Sequence, residues 1–163
     1  MNLSFQPATT TDVPTIIALA HEIWHKHYPD IITKEQIDYM LSTRYSSKQI
    51  VSAMERAEQF YLVTLNEKPI GFASIEKQTD FYFLHKFYLL TDNQKQGVGT
   101  QFFRFLLQEM NNEKVRLQVN RQNIKAINFY FKNGFVIERA ADFDIGNGYY
   151  MNDFIMIRKP TNQ

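Results

Sequence analysis

Three features of the sequence predict an α/β (α+β) fold with a mixed central sheet. Beyond Phe60, segments with strand periodicity alternate with segments of helical periodicity. The run Phe81 to Leu90 is almost wholly apolar and aromatic, as expected of a strand covered on both faces. A glycine-bearing loop then joins that run to an amphipathic helix. No composition break, linker or internal repeat divides the 163 residues, which predicts one domain spanning 1–163. The 14 Phe, 9 Tyr and one Trp can fill its core without disulfides. The chain has no cysteine, which excludes a secreted disulfide scaffold, thiolate metal sites and every cysteine nucleophile. Lys and Arg number 18 against 17 Asp and Glu, and a net charge of +1 favours neither nucleic acid nor an anionic membrane as partner. The longest small and apolar run near the N-terminus, Ile16 to Ala20, is too short to span a bilayer and follows no basic leader, so a cytoplasmic location is expected.

The elements follow in order. Residues 2–6 alternate as a first strand. Thr9 to Asp12 offers capping chemistry and Pro14 sits in the first turn of a helix running to about His27, with Ile16, Leu19 or Ala20, and Ile23 as its apolar stripe. Thr33 with Gln36 and Ser46 with Gln49 match the capping box and start two further helices. Phe60 to Leu65 and Ile70 to Ile75 form a hairpin around Asn66 to Pro69, and Phe81 to Leu90 is the third strand of this group. After the glycine loop, Val98, Phe102, Phe105, Leu106 and Met110 have helical spacing. Lys114 to Val119 reads as a strand, Asn123 to Lys132 as a helix stopped by Asn133-Gly134, and Phe135 to Arg139 as a strand. A final hairpin turns at Gly146-Asn147-Gly148 and returns through Tyr149 to Arg158.

The sharpest local feature is Gln94-Lys95-Gln96-Gly97-Val98-Gly99-Thr100, between the buried strand and the next helix. Glycines there allow close approach of a ligand to the backbone, and the helix start attracts phosphate. A tight strand-to-helix turn explains the same glycines. The phosphate-loop string Gly-Lys-Ser/Thr is missing, and a dinucleotide fingerprint would need a small residue at Phe102 and an acid near Asn120.

The loop and its strand, Lys86 to Gly99, resemble the first signature of the GNAT superfamily of N-acetyltransferases, Gln/Arg-x-x-Gly-x-Gly/Ala. Asn123, Ala126, Phe129, Tyr130, Lys132, Gly134 and Phe135 resemble its second. The likeness covers about residues 60–159 and is closest in pattern to bacterial polyamine-type acetyltransferases. It implies a sheet of about seven strands flanked by helices, with strands 4 and 5 splayed into a cofactor cleft. It further implies acetyl-coenzyme A as cofactor, with its pyrophosphate on the amides of Gln94 to Thr100. The pantetheine arm would lie along the backbone of Phe87 and Leu89, whose side chains read as core. The Leu89 amide is the candidate for stabilising the developing oxyanion. By the same resemblance Tyr130 is the general acid toward the departing thiolate and Asn123 bonds the arm; on a helix the two share a face roughly 10 Å apart. Lys132 is either a further cofactor contact or a solvated helix-end cation.

An amine nucleophile must shed a proton at neutral pH. Period-two alternation would point Phe81, Phe83, His85, Phe87 and Leu89 one way, making His85 the candidate base, although many relatives carry glutamate in this region. A histidine capping the strand face fits equally well. His21 and His25 have i, i+4 spacing but no completing carboxylate–histidine motif, so no metal is assigned. By resemblance Trp24, His27 and Tyr28 wall the acceptor side. Asp142, Asp144 and Asp153 could attract a cationic amine or serve as hairpin-turn residues.

The expected function is direct acetyl transfer from the thioester to a primary amine, a small amine or polyamine. The alternatives are a protein N-terminal or lysine acetyltransferase and a non-catalytic acyl-coenzyme A-binding module. A homodimer paired through the terminal aromatic hairpin fits the pattern too.

Overall fold

The computed structural model describes residues 2–90 and 97–161. The elements are β1 (Leu3–Pro7), α1 (Val13–His27), α2 (Lys34–Arg44), α3 (Ser47–Glu55), β2 (Gln59–Leu65), β3 (Lys68–Lys77), β4 (Tyr82–Leu89), α4 (Val98–Glu109), β5 (Val115–Asn120), α5 (Ile124–Lys132), β6 (Val136–Gly146) and β7 (Tyr149–Arg158). A 3-10 turn at Thr10–Asp12 leads into α1. Local chemistry explains the helix starts. Thr33 accepts from the Gln36 N–H at 3.2 Å and Ser46 from the Gln49 N–H at 3.3 Å, each satisfying a donor that the first helical turn leaves unpaired.

The seven strands form one sheet in the order β1-β2-β3-β4-β5-β7-β6. Every neighbouring pair is antiparallel except β4 with β5. That parallel ladder pairs Tyr82 with Val115, Phe83 with Arg116 and Leu84 with Leu117, and goes no further. Beyond Leu84 the two strands part, as the family resemblance implies. One face of the sheet carries α4 and α5, whose Phe102, Phe103, Leu106, Ile127 and Tyr130 share a core with Leu84, Leu89, Leu117 and Met156. The other carries α1, α2 and α3, packed on Phe60, Leu62, Phe72 and Leu90.

Two expectations are corrected. The strand read as Phe135 to Arg139 continues to Gly146 as β6, because its length pairs with β7 from Val136–Ile157 to Gly146–Tyr149, with irregularities at two points. The turn follows at Asn147 (φ 53°) and Gly148 (φ 76°), in the left-handed conformation a tight hairpin requires. The second correction concerns β4. Its partners step from Ser74–Lys86 to Ile75–Leu84, which leaves His85 as the extra residue of a β-bulge. Alternation therefore changes phase at His85. Leu84, Phe87 and Leu89 join the α4/α5 core, while Tyr88 and Leu90 join the opposite one. His85 packs at a tilt beside Phe83 (centroids 4.7 Å apart) and bonds Glu76, on the face away from Phe87 and Leu89.

Candidate active site

The parted strands open a cavity of about 550 Å³. Its wall takes residues from both sheet faces: Trp24, Met40 and Tyr45 from the α1–α3 side, Gly99, Phe129 and Tyr130 from the α4/α5 side. The backbone of β4 is suited to an extended ligand. The Leu90 N–H donates to the Ile70 carbonyl at 2.8 Å, so by alternation the amides of Phe87 and Leu89 point away from β3, toward the side where β5 has diverged.

At the mouth, Gly97 caps the start of α4 with φ 72°, and among the described residues nothing lies within 4 Å of the place a Cβ would occupy. A Cβ on Gly99 would stand 3.4 Å from Leu89 Cδ1 and 3.4 Å from Phe129 Cε2, narrowing the passage between β4 and α5. A helix N-terminus capped by glycine beside two strands that no longer pair fits a phosphate-bearing carrier with an extended arm. Gly97, Gly99 and Thr100 line the cavity, whereas Val98 is buried core, 1% exposed. Gln94, Lys95 and Gln96 lie outside the described residues.

Hydroxyl groups converge deeper in. Tyr130 of α5 is buried, edge-on to Phe129 and Phe135, and burial holds its phenol well above the usual range, so it stays protonated at working pH. Tyr28, just past α1, stacks on Trp24 at 4.3 Å and makes polar contacts with Tyr88 and Asn123; burial raises its phenol as well. Tyr88 in turn contacts Tyr45. Asn123 stands just before α5, and its Oδ1 accepts the Ala126 N–H at 3.2 Å. Part of its bonding capacity therefore caps the helix, and what remains faces Tyr28.

The charged groups are paired in two ways. His85 Nε2 lies 2.7 Å from Glu76 Oε2; a carboxylate only accepts, so Nε2 donates, which in the neutral imidazole makes Nδ1 the acceptor. Lys86 Nζ donates to Glu58 Oε1 at 2.7 Å, and the Ser74 hydroxyl donates to the same oxygen at 2.6 Å. Burial pushes the Glu58 carboxyl up, but Lys86 and Ser74 outweigh it and hold it below the usual range. His27 is depressed by burial and by Lys125, and it contacts the Leu89 backbone.

The cavity thus brings together Trp24, His27, Tyr28, His85, Phe87, Leu89, Gly97, Gly99, Thr100, Asn123 and Tyr130, among the residues singled out from sequence. Lys132 is not among its lining; it sits exposed in the last turn of α5, in keeping with a solvated helix-end cation. Lys125 lines the cavity instead. Tyr45, Glu58 and Tyr88 also line the cavity; only the apolar β4 run signals Tyr88 in the sequence, and nothing local marks Glu58. The three carboxylates that read alike in sequence separate. Asp142 pairs with Arg121, and Asp144 accepts the Gly146 N–H at 2.9 Å as a turn residue. Asp153 is 2% exposed and lines the cavity. Among the described residues no cluster of three or more His, Asp or Glu side chains is placed to hold a metal ion, and no helix is long and apolar enough to cross a membrane.

Comparison with known proteins agrees with this geometry. Residues 16–135 match the model of the acetyltransferase (GNAT) family. A spermidine N(1)-acetyltransferase of Thermoplasma acidophilum is 26% identical over 98% of each chain. The crystal structure of PaiA N-acetyltransferase from Thermoplasma acidophilum, in complex with coenzyme A, superposes with a TM-score of 0.84 at 26% identity, covering 98% of this chain and 99% of that one. The ribosomal-protein-S18-alanine N-acetyltransferase from Escherichia coli shares the fold with a TM-score of 0.72 at 20% identity, over 99% and 96% of the two chains.

Proposed function

This chain belongs to the acetyltransferase (GNAT) family, and on that premise we propose that it acetylates the primary amine of a small molecule by direct transfer within a ternary complex. The family uses acetyl-coenzyme A, which supplies the acetyl group as a thioester. The observation that carries the reading is the cavity left by β4 and β5, walled from both faces of the sheet, so that two ligands can meet within it. The likeness over nearly full length to a spermidine N(1)-acetyltransferase supports an amine acceptor.

In this reading Gly97, Gly99 and Thr100 hold the phosphate end of the carrier, and the backbone of Phe87 and Leu89 holds its arm. Tyr130, protonated throughout the working range, donates its phenolic proton to the leaving sulfur. His85 takes the proton of the attacking amine at Nδ1, its ring oriented by Glu76 through Nε2. Trp24, His27 and Tyr28 wall the acceptor. Direct transfer suits a chain without a cysteine to carry the acetyl group.

Free-thiol release measured with a panel of polyamines, amino acids, aminoglycosides and short peptides tests the substrate class. Intersecting double-reciprocal lines are expected. Parallel lines, or acetylation of peptides alone, would overturn the reading.

A further inference from the structure

Two carboxylates line the cavity, Glu58 and Asp153. Glu58 is matched: Lys86 and Ser74 both donate to it. Asp153 is not. Its Oδ1 is buried without a hydrogen-bond partner among the described residues, although the residue is only 2% exposed. A buried carboxylate oxygen with no donor is costly, and such groups survive in proteins where a ligand, ion or water supplies the missing partner.

The place of Asp153 suggests what that partner is. It stands on β7 opposite Asn120, at the end of β5 that borders the gap. Tyr28, which touches Asn123 and feels Tyr130, lies within electrostatic range of it. The carboxylate therefore sits with the groups that would surround the acceptor. The charged side chains that act on it are Arg44 at the end of α2, Arg121 after β5 and Asp142 of β6. The cavity wall as a whole carries Arg44, Arg56, Lys86 and Lys125 against Glu58 and Asp153. With Glu58 neutralised by Lys86, one carboxylate is left for a cation, and a second positive charge on a ligand would meet arginines.

We propose that Asp153 anchors the acceptor's amino group as its ammonium, and that the cavity is built for an amine with one positive charge rather than for a polycation. The assignment rests on the small-amine reading above and specifies it. Asp153 is an anchoring residue here, not the base: the ammonium is held at Oδ1 on entry, and its proton leaves to His85 as in the proposed transfer.

The test uses n-butylamine and spermidine as probes with the full-length chain and acetyl-coenzyme A. The wild-type protein is expected to show a kcat/KM for n-butylamine at least tenfold above that for spermidine. Asp153→Asn keeps the shape and removes the charge; it should raise the KM for n-butylamine about tenfold or more, with kcat and the KM for acetyl-coenzyme A changed less than threefold. In the presence of coenzyme A, n-butylamine should raise the unfolding temperature of the wild type but not of the variant. Asp153→Ser serves the same comparison should the Asn variant fold poorly. An unchanged amine KM in a folded variant, or a preference for spermidine, overturns the assignment while leaving the acetyltransferase reading in place. Failure to acetylate either probe overturns the small-amine reading and the assignment together.

Discussion

His85 of β4 and Glu76 of β3 are joined across the ladder by an Nε2 to Oε2 contact of 2.7 Å, at the point where a bulge turns two successive β4 side chains to one face. The bulge matters because it separates tasks that strict alternation would have stacked together. Phe87 and Leu89 pack into the α4/α5 core and leave their backbone toward the gap between β4 and β5, whereas His85 turns to the opposite face, where it meets Glu76. If His85 is the base, His85→Gln should lower kcat/KM for the amine by about 10² to 10⁴. Glu76→Gln, which removes the orienting carboxylate only, should cost less. Equal turnover in His85→Gln and wild type, measured by thiol release, would exclude the role.

Tyr130→Phe removes the phenolic proton and keeps the ring that packs on Phe129 and Phe135. The expected result is a fall in kcat of about 10² to 10⁴, with the KM for acetyl-coenzyme A within a few-fold of wild type. Initial rates at saturating amine decide it.

Lys86→Met strands the buried Glu58 carboxylate. Breaking a buried pair in this way costs about 3–5 kcal/mol, and both side chains are largely covered, at 15% and 10% exposure. Because the Glu58 carboxyl is held below its usual range, its stabilising contribution is present above the unfolded pKa, near 4.5, and is lost as pH falls through the depressed folded value. Urea unfolding at pH 7 should therefore show the full loss. The gap between variant and wild type should shrink at pH 4 and below, where the stranded carboxyl is protonated.

Asp153 has the opposite sign. Burial raises its carboxyl from 3.8 to about 6, so the folded state binds the extra proton between those values and stability falls as pH rises through that window. Above pH 6 the ionised group costs up to about 3 kcal/mol, the equivalent of the shift. Asp153→Asn is expected to unfold at higher denaturant than wild type at pH 7.5, the two curves converging toward pH 4. A variant less stable than wild type at pH 7.5 would show that the carboxylate is compensated within the fold.

What the sequence reveals is what is local. Thr33 and Ser46 start helices through bonds to residues three positions on, so their spacing is visible in a string of letters. The glycine loop and the Asn123 to Phe135 pattern are likewise compact, and they carry the fold, the cofactor and Tyr130. The bulge at His85 is not legible, since it depends on how β3 and β4 settle their register, and an unbroken period predicts the wrong face for His85 relative to Phe87. Glu58 and Lys86 are 28 positions apart and meet only once the sheet has formed. Asp153 and Asp144 look equivalent in sequence. They differ only in the folded chain, where Asp153 is buried opposite Asn120 and Asp144 stays exposed near the turn, on a hairpin that Tyr39 and Gln36 of α2 reach by donating to Ile145 O at 2.7 Å and Tyr150 O at 3.0 Å.

The short ladder between β4 and β5 has a pharmacological corollary. Because those strands separate after three residue pairs, one cavity is walled from both faces of the sheet, and in the proposed reading the donor and acceptor chambers are two parts of it, continuous through the plane of the sheet. A conjugate that tethers an amine to coenzyme A through a stable linker could fill both chambers at once, its second half binding at the high effective concentration set by the first. Such a bridging inhibitor should outcompete either fragment alone by orders of magnitude, and the linker length that works best would measure the distance between the two chambers.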